Sequence, residues 1–201
     1  MKDRRPLPSE IILASASPRR KELLEQIGIA TRIVPSAIDE TRIRHDDPIR
    51  LATSLARAKA LDVSSSLDQR TAQEVGSSPL PILGADTVVV AAGAILEKPA
   101  GRDDAARMLK LLSGCTHRVV TGIAVIWGTG SIRTAHAESQ VTFAELSELE
   151  IDACLNSREW VGVAGAYRIQ GIAARHVTHL SGSYSNVVGL PLHLVYSILT
   201  G

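Results

Sequence analysis

The sequence predicts an α/β fold with antiparallel elements, and three observations point to it. Short apolar runs alternate with helix-start signals, each a capping residue followed by proline: Ser17-Pro18 and Asp47-Pro48. Two strand-like stretches, 118–127 and 132–144, flank Gly128-Thr129-Gly130 as an antiparallel pair would. Strands and helices therefore interleave along the chain instead of segregating into blocks.

Taken in order, Ile11–Ala14 reads as a short buried strand, and a helix runs from Pro18 through Gln26 to a stop at Gly28. Residues 31–34 form a second strand, with Asp39-Glu40 in the loop after it. The helix opened by Asp47-Pro48 carries Ile49, Ala52, Ala56, Lys59 and Val63 at three- and four-residue spacing. Residues 64–81 are polar, Ser-rich and Pro-ended, and are expected as a surface loop. Residues 82–84 and 87–92 read as one buried strand interrupted by Ala85-Asp86, turning at Gly93 into a short hairpin. A helix after Gly101 has Asp103 and Asp104 in its first turn, where the macrodipole favours acids, and stops at Ser113-Gly114. Ser147-x-x-Glu150 is a capping box that starts a helix to about Leu155. Residues 162–191 are glycine-rich with strand-like pieces, and a last helix begins at Pro191.

Composition removes several function classes. A chain of 201 residues with 45% hydrophobic and 21% charged residues suits one globular domain of two lobes sharing a core. Lys+Arg 22 against Asp+Glu 21 leaves no global field for a nucleic-acid backbone or an anionic membrane. Aromatics at 3% argue against a base-stacking platform. Cys115 and Cys154, with no CxxC, point away from a disulfide framework or zinc site and towards a reducing cytoplasm. The apolar stretch 82–96 contains Asp86 and is too short to span a bilayer. GxxxxGK[ST], GxGxxG and GxSxG are all absent.

Four places break the chain's own rules. Arg19, Arg20 and Lys21 crowd the first turn of a helix, where cations oppose the dipole and free amides want acceptors. An anion such as phosphate would satisfy both, with Ser15 and Ser17 beside it, whereas the plain alternative is solvated arginines. Asp86 lies between Ile82-Leu83 and Val88-Val89-Val90, and a buried carboxylate is costly unless paired, hydrogen-bonded or metal-bound. It is either a satisfied structural acid or a functional one. Lys59 interrupts an apolar stripe, so it either snorkels to solvent or offers a compact charge to phosphate. Asp39-Glu40 is either solvated surface or a donor set for a hard, oxygen-ligated cation such as Mg²⁺.

Several motifs, in order, then resemble one family. Leu13-Ala14-Ser15-Ala16-Ser17-Pro18-Arg19-Arg20 resembles the opening motif of the Maf family of nucleoside triphosphate pyrophosphatases. Gly84-Ala85-Asp86-Thr87-Val88-Val89, Glu97-Lys98-Pro99, Leu112-Ser113-Gly114 with His117, and Thr121-Gly122 follow in family order. Ala164-Gly165-Ala166-Tyr167-Arg168-Ile169-Gln170-Gly171 and Asn186-Val187-Val188-Gly189-Leu190-Pro191-Leu192 complete the series.

The resemblance implies a mixed central sheet flanked by helices, with a cleft between two lobes, as in Maf and ITPase-like folds. It implies hydrolysis of dTTP and UTP, or of modified pyrimidine nucleotides, to the monophosphate and pyrophosphate. A divalent cation, Mg²⁺ or Mn²⁺, is implied with it. By position Asp86 matches the catalytic acid/base. Arg19, Thr87 and Gln170 match positions of pyrimidine selection, and Ser15, Arg20, Asp39, Lys59 and Lys98 match the remaining polar positions. Asp39, Glu40 and Asp86 are the expected metal ligands, with Asp86 as base, ligand or both. Three positions depart from the pattern: Gly162-Val163 replaces an Asp-Lys pair, Arg168 replaces a small residue, and Asp39 is one carbon shorter than the common glutamate. The expected partner is a small nucleotide, with no nucleic acid and no membrane, and a homodimer is an allowed assembly. The rival expectation is a nucleotide-binding regulator of cell division with little turnover.

Overall fold

The computed structural model describes residues 5–71, 80–128 and 130–201. Its strands are β1 (Glu10–Leu13), β2 (Ala30–Ile33), β3 (Ile82–Ala91), β4 (Ala94–Leu96), β5 (Thr116–Ile126), β6 (Ile132–Phe143) and β7 (Val177–Ser181). Its α-helices are α1 (Pro18–Gln26), α2 (Pro48–Thr71), α3 (Arg102–Leu112), α4 (Glu148–Asn156), α5 (Tyr184–Val188) and α6 (Leu192–Thr200). Hydrogen-bonded neighbours follow the order β2-β1-β3-β5-β6-β7, with β4 on β3. The sheet is mixed: β1 is parallel to β2 and β3, while β3–β4 and β6–β7 are antiparallel. Among the described residues, no helix is long and apolar enough to cross a membrane.

The chain divides into two compact units. The first comprises Met1–Asp86, Thr121–Ala137 and Gly189–Gly201. Its core gathers Ile12 and Ala14, Ile82, Ala124 and Ile126 beneath Ala56, Ala60 and Val63 of α2. The β1–β3 register sets Ile12 opposite Ile82 and Leu13 opposite Leu83. With β2 on its other side, β1 is the point where successive connections leave in opposite directions. The carboxyl end of such a strand is where open α/β sheets place ligands. The strand ends at Leu13, α1 starts at Pro18, and Ser15 lies between them.

The second unit comprises Thr87–Val120 and Glu138–Val188. Helix α3 packs against α4, burying Ala105, Met108, Leu109 and Leu112 together with Ile151 and Leu155. Ser147 caps α4 with both bonds of the capping box, as the sequence predicts.

Two stretches differ from expectation. The helix α2 runs through Thr71, so helix takes residues 64–71 of the stretch expected as a loop. Residues 72–79 of that stretch lie outside the described residues. Polar composition alone does not separate a helix from a loop. In 162–191 the one strand is β7, and two 3-10 turns, Ala164–Ala166 and Ile172–His176, and the short helix α5 stand where further strand-like pieces were expected. Gly162, Gly165 and Gly182 take positive φ there, which ends extended structure.

Candidate active site

The first cluster forms where β1 becomes α1. Ser15 and Arg20 are both buried. Arg20 donates from Nη1 to Ser15 Oγ at 2.9 Å and from Nε to the Gly189 carbonyl at 2.9 Å. Ser15 Oγ also accepts from the Ser17 amide at 3.3 Å. Ser17 occupies the N-cap position, but its side chain makes no capping bond, and no acid stands in the first turn of α1. Burial pulls the Arg20 pKa down, while the negative charges of Asp86 and Glu40 pull it back up. A guanidinium remains charged at neutral pH through such a contest.

The second cluster depends on how closely α2 lies on the sheet. Ala52, Ala56 and Ala60 are fully buried at four-residue spacing. They face Gly84 of β3 and Gly122 of β5: a Cβ on Gly84 would collide with the Ala56 carbonyl, and one on Gly122 with the Ala52 backbone. This approach buries Lys59, whose side chain is 8% exposed, beside Asp86, at 9%. Lys59 Nζ lies 2.5 Å from Asp86 Oδ1 and 2.9 Å from Glu40 Oε1. The lysine therefore does not snorkel. It neutralises the acid that interrupts the apolar strand, and β3 runs unbroken through Asp86.

Glu40 opens a single 3-10 turn, Glu40–Arg42, that Asp39 caps. Asp39 Oδ1 accepts from the Thr41 amide at 3.1 Å and from Thr41 Oγ1 at 2.6 Å, and its Oδ2 meets Arg42 Nε at 3.2 Å. The Thr41 bonds are the main cause holding the Asp39 carboxyl below its ordinary pKa. Both Asp39 oxygens thus serve their own turn, and it is Glu40 that reaches Lys59. Asp62 of α2 steadies the approach to this turn by accepting from Ser36 Oγ at 2.9 Å and from the Ala37 amide at 2.8 Å.

Of the remaining expected residues, Arg19 is half-buried in the first turn of α1. Thr87, half-buried on β3, belongs to the second unit, as do Lys98 and Gln170, both exposed. Among the described residues no group of three or more His, Cys, Asp or Glu side chains is placed to hold a metal ion. The sequence reading placed Gly84, Gly122 and Gly189 in motifs and Ala52 and Ala56 on an apolar stripe, but gave none of them a part in building the site. A small-residue stripe at four-residue spacing was the available signal for the alanines. The motif around Gly189 does not disclose that its carbonyl meets Arg20 across 169 positions.

Comparison with known proteins agrees with these motifs. The family model described as Maf-like protein matches residues 10–201. A dTTP/UTP pyrophosphatase of Chelativorans sp. (strain BNC1) is 46% identical over 193 residues, covering 96% of this chain and 90% of that protein. A dTTP/UTP pyrophosphatase of Mesorhizobium japonicum is also 46% identical, over 96% of this chain and 91% of its own. One of Agrobacterium fabrum is 45% identical over the same shares. A solved structure of a HAM1 protein from Coxiella burnetii is a distant likeness, with a TM-score of 0.42, 20% identity, and 69% of this chain and 75% of that chain covered. With its motifs in order and a match over nearly its whole length, the chain belongs to the Maf-like protein family.

Proposed function

We propose that this protein is a nucleoside triphosphate pyrophosphatase that hydrolyses dTTP and UTP to the monophosphate and pyrophosphate. The observation that carries the reading is Asp86, buried on β3 and held by Lys59 within the unit that also holds the Arg20–Ser15 pair. The name shared by relatives 46% identical over nearly the whole chain supports it.

Water attacks the α-phosphorus, the bond to the α-β bridging oxygen breaks, and pyrophosphate leaves with that oxygen. Such chemistry asks a protein mainly for positioning and charge neutralisation. Asp86 orients the water and accepts its proton. Arg20 and the amino end of α1 bind phosphate oxygens, and Ser15 fixes the guanidinium. Lys98 is assigned to phosphate neutralisation, and Arg19, Thr87 and Gln170 to the pyrimidine and sugar, on motif position alone. Gln170 carries both donors and an acceptor, as reading a base edge requires.

For a divalent cation the fitting donors are Glu40 and Asp86, whose oxygens already converge on one cationic nitrogen. Mg²⁺ is commonly held by one or two carboxylates, with substrate phosphates and water completing its shell. Asp39 does not fit, because Thr41 and Arg42 engage its oxygens. When bound, the cation would neutralise charge developing on the phosphates.

The test is a panel of dTTP, UTP, CTP and GTP followed by phosphorus NMR, which separates pyrophosphate from orthophosphate. Pyrophosphate from dTTP and UTP is expected. Binding with no release would favour a nucleotide-binding regulator. Asp86→Asn should lower turnover on the order of a thousandfold. The pairing of Lys59 with Glu40 should keep the variant folded. Near-native turnover in that variant removes Asp86 from the chemistry.

A further inference from the structure

The position of the Lys59 ammonium has a consequence for how metal enters. Nζ sits between Asp86 Oδ1 and Glu40 Oε1, at 2.5 Å and 2.9 Å, on a side chain 8% exposed. A divalent cation taking those two oxygens would need the space the nitrogen fills, and would meet a like charge there. Arg20, Lys59, Glu40 and Asp86 carry two positive and two negative formal charges, so the group is balanced as it stands. Adding a divalent ion with Lys59 in place would leave a large uncompensated positive charge near buried groups.

A triphosphate changes this balance. It brings several negative charges, and an ammonium on a flexible four-carbon stem can turn to them without moving α2. The two carboxylates then lose the ammonium that bridged them. Access is from the Glu40 side, since Glu40 is 39% exposed and Asp86 only 9%.

We propose that Lys59 is the resident counter-ion of the Glu40–Asp86 pair. It keeps divalent metal off that pair until a polyphosphate draws its ammonium away, so the metal enters as its nucleotide complex. The identity of the polyphosphate rests on the pyrophosphatase reading; the exchange itself rests on the geometry. By linkage, nucleotide and metal each tighten the other's binding.

The test uses MnCl₂ as a paramagnetic probe on the full chain without nucleotide, comparing the wild type with Lys59→Met. The variant should bind Mn²⁺ at least about fivefold more tightly, the lower end of ordinary coupling between ligands. A smaller gain overturns the proposal. Adding Glu40→Gln to Lys59→Met should remove the gain, and a gain that survives places the ion elsewhere and overturns it too. Lys59→Met removes the ammonium that bridges the two carboxylates and is expected to melt lower than the wild type. Mn²⁺ should then raise the Tm of the variant and leave the wild type unmoved. A variant that does not fold and is not restored by Mn²⁺ shows a purely structural lysine and overturns the proposal. Release of pyrophosphate from dTTP by the wild type is a separate readout. Intact release with no Mn²⁺ difference removes the exchange alone. Absent release removes the pyrophosphatase reading, and the Mn²⁺ comparison still decides the exchange.

Discussion

His117, 1% exposed in the second unit, makes one consequence of burial measurable. Its Nε2 lies 2.8 Å from the Tyr167 hydroxyl, and the ring meets Phe143 and Tyr167 edge-on. Burial pushes its pKa down to about 4 and pushes the Tyr167 hydroxyl up. Both groups are neutral at pH 7. Between the ordinary value of 6.5 and about 4, the unfolded chain binds a proton at His117 that the folded chain refuses. Stability therefore falls as pH drops through that window, by about 3 kcal/mol from this residue. Burial moves His176 the same way. Urea unfolding across the window should show His117→Gln losing less stability than the wild type by about that amount, and parallel profiles would mean that His117 is not buried as a neutral base. At this scale, what the sequence made legible were residues that offend their surroundings. An acid in an apolar strand and a lysine on an apolar stripe are each costly alone, and each proves to be the other's partner. Asp39 and Glu40 were not separable in this way. Adjacent acids look alike in sequence, and which one turns inward is settled by the cap of a single 3-10 turn.

Helix α2 shows what an element contributes that no one residue does. Its alanine stripe has room to approach the sheet only because Gly84 and Gly122 lack a Cβ. Gly84→Ala would press a methyl into the Ala56 carbonyl and to 2.9 Å from the Ala60 amide, both backbone atoms with little freedom to yield. Overpacking of this kind costs about 2–3 kcal/mol, or about 4–12 °C in Tm for a chain of this size. Turnover should fall further than the lost folded fraction explains, because lifting α2 carries Lys59 away from Asp86. Thermal unfolding and turnover measured on the same preparation test this, and a fully active but destabilised variant would detach the helix approach from the site. Elements announced by their ends were readable, as with Asp47, whose Oδ1 caps α2 through the Ile49 and Arg50 amides. Composition misled where polarity was the only cue, in residues 64–71, since helices and loops share it. Glycine-rich apolar pieces in 162–191 resembled strands, but their positive φ values belong to turns.

At the scale of the whole chain, the closures that make the site are long-range and silent in sequence. Arg20 is anchored by a carbonyl 169 residues away, and Lys59 by an acid 27 residues away on another element. The motifs could be ordered along the chain, but their pairings could not. These closures also decide what the fold requires from outside. Two carboxylates left to themselves near buried groups would demand a bound ion, and removing it would unfold part of the first unit. Here Lys59 and Arg20 already balance Glu40 and Asp86, so the fold carries its own counter-ions for these acids. EDTA should therefore abolish pyrophosphate release while shifting the Tm of nucleotide-free protein by less than about 1 °C, below what 1 kcal/mol would produce at this size. Calorimetry with and without chelator, beside the release assay, makes the comparison. A fall of several degrees would show an ion holding the folded chain together, and Lys59 would then not be the group that balances the acids.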